Sequence, residues 1–304
     1  LKNKVYMLFE RDIYLYHYTT FDAFKGIINN TNHHNRELTF WATNLYFMND
    51  FAEGFYVDRV IKEYLKEVED ELRIPTELKI SEMIEKGSFS LLKDQIRNDY
   101  LFHNFGPTYY TISFSEDSLS YPLWNMYADE GRGVALVFNK YNLLNINNNR
   151  IETGFCHYFR DSYKMLKRVY LESLHCFNDF IYDFMDRTDM KKYYVNRAIE
   201  IYYMLMSEFM FHKNEYYIFE KEFRIYIKSQ NSPQIRICKD KPLINIPYID
   251  FNLNIDFLEG LILGPNFNID RYPVDSIKSI LQKKSIKLIG GIQKSGLPYR
   301  NINL

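Results

Sequence analysis

The chain is predicted to be an α+β protein: a mixed, mainly antiparallel sheet carrying a long helical insertion. Three observations predict this. Short runs rich in β-formers open and close the sequence, and the stretch from Phe155 to Ser232 contains neither Gly nor Pro. Strands and helices also follow one another irregularly, unlike the strict alternation of a doubly wound parallel sheet. The 304 residues, 46% hydrophobic and 25% charged, have an ordinary globular composition and read as one domain over 1–304.

The first strand is expected at Ile13–Thr19, where Leu15, His17 and Thr19 alternate with Tyr14, Tyr16 and Tyr18. Thr19 or Thr20 can cap a short helix that turns Phe24, Ile27 and Ile28 inward. A polar loop leads to a second strand at Leu38–Thr43. Val57, Ile61, Tyr64, Val68 and Leu72 then recur at helical spacing. Asp50 and Glu53 stand before that helix in a capping-box-like arrangement, beside Asn49. After Gly106-Pro107 come a strand at Tyr109–Ser115, a short helix at Trp124–Asp129 and a buried strand at Gly133–Phe138.

Two apolar stripes, one from Leu166 to Phe184 and one from Val195 to Phe209, predict a helical hairpin within an insertion at about 156–216. The C-terminal third returns to strands at Phe223–Lys228, Leu258–Leu263 and Ser285–Gly290, with a helix at Val274–Gln282.

A net charge of -1 gives no general attraction to nucleic acid or to anionic membranes. The three cysteines, Cys156, Cys176 and Cys238, have neither disulfide nor zinc spacing and point to a reducing compartment. No apolar run approaches the roughly 20 residues of a membrane span. A cytoplasmic chain without membrane partners is therefore expected.

Chemistry concentrates in four places. His17 is an imidazole in mid-strand, either a satisfied core histidine or a ligand-facing group. Thr111, Ser113 and Ser115 put three hydroxyls on one side of an apolar strand, which wastes burial unless that side is wet or binds a ligand. Trp124 and Tyr127 follow three apart on a helix, and aromatic walls beside hydroxyls suit a flat polar ligand. Glu220, Glu222 and Arg224 recur at period two and are expected to point the same way from the start of a strand. They form either a salt-bridge network or a catalytic carboxylate with its orienting partner.

These motifs stand in a recognisable order. His17-Tyr18-Thr19-Thr20, Asn49-Asp50-x-x-Glu53, Ser113-Phe114-Ser115, Leu123-Trp124-x-x-Tyr127-Ala128-Asp129, Gly133–Phe138 and Glu220-x-Glu222-x-Arg224 run in sequence, followed by Leu258–Gly264 and Ser295–Arg300. On them the chain resembles the bacterial domain-of-unknown-function family twenty-nine seventy-one. That layout is in turn similar in outline to the ADP-ribosyltransferase superfamily, with His or Arg on a first strand, a hydroxyl or aromatic residue on a second and Glu on a later one.

The superfamily resemblance implies an NAD-consuming enzyme, a transferase acting on a macromolecule or an NAD hydrolase, in a toxin or phage-defence setting. It implies NAD as substrate and no metal. Glu222, Glu220 and His17 would take the catalytic roles, with His17, Tyr18, Thr19, Ser113, Ser115, Trp124, Tyr127 and Arg224 holding the nucleotide. The alternative is a nucleotide-binding or partner-docking module that does no chemistry.

Overall fold

The computed structural model describes residues 13–31, 35–48, 65–74, 76, 79, 81–82, 108–158, 164, 167–168, 170–171, 211–229, 233–238 and 241–298. The expected positions Asn49, Asp50 and Glu53, most of the helix that follows them, the body of the helical hairpin and Cys176 lie outside this set. Among the described residues no helix is long and apolar enough to cross a membrane.

The fold is α+β. Its main sheet runs in the order β12-β11-β4-β1-β3-β2-β10-β9, with β8 also on β3 and β5 beyond β8. The strands are β1 Tyr14–Thr19, β2 Glu37–Asn44, β3 Thr108–Ser115, β4 Val134–Asn139, β5 Ile151–Phe155, β8 Glu222–Ser229, β9 Gln234–Cys238, β10 Lys241–Asn254, β11 Leu258–Leu263 and β12 Gly291–Lys294. Every pairing in it is antiparallel except β11 with β12. A separate two-residue parallel pair joins β6, His157–Tyr158, to β7, His212–Lys213.

The centre of this sheet is divided. β8 runs the full length of β3, from Thr108 opposite Ser229 to Ser115 opposite Glu222. β1 and β2 must therefore share β3's other edge. β1 meets it only at Ser115, opposite Tyr16, and β2 only at Tyr110 and Thr111, opposite Asn44 and Thr43. Along Ile112–Phe114 neither strand is in register, and the sheet splits there. Helix α1, Phe21–Asn29, connects the two diverging strands; the Thr20 hydroxyl caps it by accepting from the Ala23 amide.

Strand alternation sorts the side chains into two layers. Leu15, Phe40, Ile112, Phe114, Phe138 and Phe223 lie on one side, covered by Phe24, Ile27 and Ile28 of α1 and by Ile277 and Leu281 of the helix Val274–Lys283. On the other side Tyr16, Tyr18, Ala135, Val137 and Ile262 pack with Leu123 and Trp124.

Several elements differ from expectation for identifiable reasons. The short helix begins earlier, at Tyr121–Met126, because Pro122 is tolerated in a first turn. It ends before Asp129, since Asp129, Glu130 and Gly131 all take positive φ. The last strand is Gly291–Lys294 rather than Ser285–Gly290: the helix continues to Lys283, and Ser285 turns the chain at φ 54°. Strands β9 and β10 went unpredicted because Pro242 and Pro247 interrupt the pattern; the register of the pair shifts between Lys241 and Asn245.

The turn after the helix sets the end of β1. A Cβ on Gly133 would lie 2.3 Å from the Thr19 carbonyl oxygen and 3.0 Å from Ala128, and the glycine amide already bonds Ala128 O at 2.8 Å. Gly133→Ala is expected to cost about 1–3 kcal/mol or more through forced displacement of main chain. Urea denaturation measures this, and an unchanged midpoint would contradict the packing.

Candidate functional site

A cavity of about 650 Å³ occupies the split in the sheet. Its walls come from β1 (His17), the exposed turns of α1 (Ala23, Gly26), β2 (Trp41, Thr43) and Thr111–Ser115 of β3, whose edge is unpaired along Ile112–Phe114. Tyr127, Lys213, Glu220 and Glu222 close one end. The helical glycine leaves room: a Cβ at Gly26 would meet nothing within 4 Å.

His17 shares its side of the sheet with Phe40 and Phe114, whose rings lie 5.3 and 5.6 Å from the imidazole. Its Nδ1 is 2.9 Å from Ser113 O. A carbonyl can only accept, so Nδ1 carries the proton and Nε2 is left as an acceptor. Burial lowers the imidazole pKa, partly opposed by that hydrogen bond, and the ring is neutral near pH 7. The acids belong to the opposite side of the sheet, with Ser113 and Ser115. The split is what lets both groups border one hollow.

Glu220 and Glu222 are not two steps along one strand. Glu220 ends the 3-10 helix Glu215–Glu220, Lys221 adopts the left-handed region at φ 42°, and β8 starts at Glu222. Their carboxylates nonetheless meet on Lys213. Its Nζ lies 2.5 Å from Glu220 Oε2 and 2.9 Å from Glu222 Oε2. Arg224 grips Glu222 with two donors, Nε to Oε1 at 2.6 Å and Nη2 to Oε2 at 2.8 Å, and gives Nη1 to Tyr226 Oη at 2.8 Å. All four charged residues are at most 4% exposed. The quartet is neutral in sum, which is the condition for burying such groups together.

The two carboxyls are driven apart. At Glu222 burial pushes the pKa up, but Arg224 and Lys213 outweigh it and hold the group well below the ordinary range. At Glu220 burial prevails, with Glu222's charge adding to it against the pull of Lys213, and the pKa is raised. Tyr127 donates its hydroxyl to Glu220 Oε1 at 3.0 Å.

The remaining expected residues divide by place. Ser115 lines the cavity, but its hydroxyl locks a corner, donating to Glu220 O at 2.6 Å and accepting from Asp117 N at 3.0 Å. Tyr18 and Thr19 also border the hollow, and the Tyr18 hydroxyl donates to Asp117 O. Trp124 does not reach the cavity. It is fully buried, donates to Ser118 O at 3.1 Å and packs edge-on against Tyr18 at 4.9 Å. Arg224 lies behind Glu222 and is not a cavity wall. Thr111 Oγ1, buried on the β3 edge, has no hydrogen-bond partner among the described residues.

Lys213 and Trp41 were missed from sequence. Lys213 lies just beyond the second apolar stripe, where no spacing singles it out. Trp41 carried a signal, since alternation puts it with Thr39 and Thr43 on the polar side of its strand.

The family resemblance drawn from the motifs holds. Residues 123–225, about a third of the chain, match the family model described as "Protein of unknown function (DUF2971)". The matched stretch carries Tyr127, Lys213, Glu220, Glu222 and Arg224. No curated protein and no solved structure matches the chain.

Removing one cation should expose the electrostatics. Lys213→Met leaves two carboxylates facing Arg224 alone, at a cost of roughly 3–5 kcal/mol near neutral pH. The deficit should shrink as pH falls, because Glu220, already raised, takes up the proton that cancels the excess charge. Adding Glu220→Gln should recover much of the loss. Urea melts across the acid range measure both effects. Stability due to Glu222 itself is present above the ordinary carboxylate range and is lost as pH falls towards its lowered folded value.

Proposed function

We propose that this chain, about a third of which matches the DUF2971 family model, is an NAD-consuming enzyme, similar in chemistry to ADP-ribosyltransferases, acting by transfer to a macromolecule or by hydrolysis. One observation carries the reading: His17 and the Glu220/Glu222 pair, some 200 positions apart in sequence, border one cavity. Its volume falls within the ~300–1,000 Å³ of small-molecule sites.

The site's residues suit the reaction's charge flow. The bond between ribose C1′ and the nicotinamide nitrogen breaks, and its electron pair leaves with nicotinamide. Positive charge then develops on the sugar as an oxocarbenium-like state. Glu222, pinned by Arg224 and Lys213, is an anion already oriented for that charge, so no reorganisation is needed as it appears. His17 Nε2 accepts a hydrogen bond from a ribose hydroxyl, and Tyr127 walls the leaving ring. Glu220, whose pKa is raised, accepts the proton lost by the attacking water or acceptor hydroxyl as the new C1′–O bond forms. No step requires a metal. A toxin or phage-defence effector would use such chemistry on cellular NAD or on a macromolecule.

Incubation with NAD should release nicotinamide, and Glu222→Gln should lower the rate roughly a hundredfold or more. Gly26→Leu, which fills open space in the hollow without touching the acids, should raise KM or abolish binding while leaving the fold intact. If no nicotinamide is released, with water or any macromolecular acceptor, the enzymatic reading fails.

One observation favours a second reading. Both oxygens of Glu222 are taken by fixed cations, a state that also serves a binding module in which the quartet merely frames a nucleotide. Thermal stabilisation by NAD without turnover would identify that case, since a ligand that binds only the native state raises apparent stability.

A further inference from the structure

Trp41 stands apart from its strand. Its neighbours Phe40 and Ala42 are buried, whereas Trp41 is 48% exposed although β2 lies between two paired strands. It also lines the cavity, from β2, which β3 separates from the strand of Glu222. Leaving half an indole in water forfeits apolar burial, and a sheet with a free choice would place a threonine there, as at Thr39 and Thr43. The ring packs against Tyr248 in a tilted contact, centroids 4.8 Å apart at 38°. Tyr248 is fixed in turn, its hydroxyl donating to Gln234 Oε1 at 2.8 Å.

A hydrogen-bonding edge lies beside this aromatic surface. Asp250 is the register partner of Trp41 and so projects to the same side of the sheet. It is exposed, and Gln234 Nε2 donates to its Oδ2 at 2.9 Å, which orients the carboxylate and leaves acceptor capacity over. A carboxylate next to a stacking ring repels phosphate and attracts the N–H groups of a base that bears an exocyclic amine. Glu222 lies on β8, two strands across from β2, a lateral span of about 10 Å or more where the sheet is split. That span suits a ligand with two ring systems joined by a linker.

We propose that Trp41, backed by Tyr248 and edged by Asp250, is a stacking platform for an amino-bearing nucleobase, adenine or guanine, on the β2 wall of the same cavity. The proposal rests on the reading that the cavity takes a nucleotide, and it names the part of the ligand that does not react. Trp41 supplies the π-face, and Asp250 accepts from the exocyclic amine. Trp41→Ala should weaken nucleotide binding roughly tenfold or more, in line with the usual worth of one base–aromatic stack.

The chain offers its own probe, because it contains 2 Trp and the other, Trp124, is fully buried. Acrylamide quenching of tryptophan emission therefore reports on Trp41. With the full chain, adenosine or guanosine should reduce the quenching constant at least about twofold, and one of the two should do so at lower concentration. Uridine, which lacks an exocyclic amine, should not, and Asp250→Ala should abolish the preference. Absence of shielding by both purine nucleosides, or equal shielding by uridine, would overturn the proposal. Nicotinamide release from NAD, followed in the same samples, separates it from the enzymatic reading. Turnover with Trp41 still open to quencher when NAD is bound defeats the platform alone. Shielding by adenosine without nicotinamide release supports the platform and defeats the enzyme.

Discussion

One edge of one strand organises this molecule. β3 gives one side wholly to β8 and must divide the other between β1 and β2, each of which holds it at a single end. Backbone groups left between those ends need other partners, since buried N–H and C=O groups are seldom left bare. At Ser113 that partner is an imidazole: His17 donates to the carbonyl that a neighbouring strand would otherwise have taken. The hollow, the tautomer of His17 and the placing of α1 between the diverging strands all follow from this division.

The electrostatics obey a similar economy. Two acids and two bases are withdrawn from water together, and each carboxylate faces at least one cation. The partnership is unequal. Glu222 has two donors from Arg224 and one from Lys213, while Glu220 has Lys213 and the neutral Tyr127 hydroxyl. Carboxyls of the same kind, two positions apart, thereby have their proton affinities shifted in opposite directions. Such divergence is how a single site can hold one group permanently charged and another ready to exchange a proton.

Much of this was legible in the residues, and the failures have physical causes. β1, α1, β3, β4, β8 and β11 were visible because each has an apolar side at a clear period, and Glu222 with Arg224 was visible because period two aligns them. Glu220 was grouped with them for the wrong reason: the left-handed turn at Lys221 removes it from the strand, and Lys213 returns it to the cluster. No local pattern announces a lysine that completes a charge balance across separate elements. Trp124 misled because a rare aromatic beside polar residues resembles a ligand wall, whereas here its N–H is satisfied by a carbonyl and its ring by Tyr18. Trp41, with the stronger claim to contact a ligand, was overlooked inside a strand that looked ordinary.

The contact of Gly133 with Thr19 bears on how such a site can change over time. Backbone there rests on backbone, and Gly264 approaches Gly131 and Gly133 in the same manner. The end of β1, two residues past His17, is thus gauged by peptide units, whose dimensions are the same whatever side chains they carry. Side chains facing the hollow can be exchanged to retune what it admits, while the strand that carries His17 keeps its place.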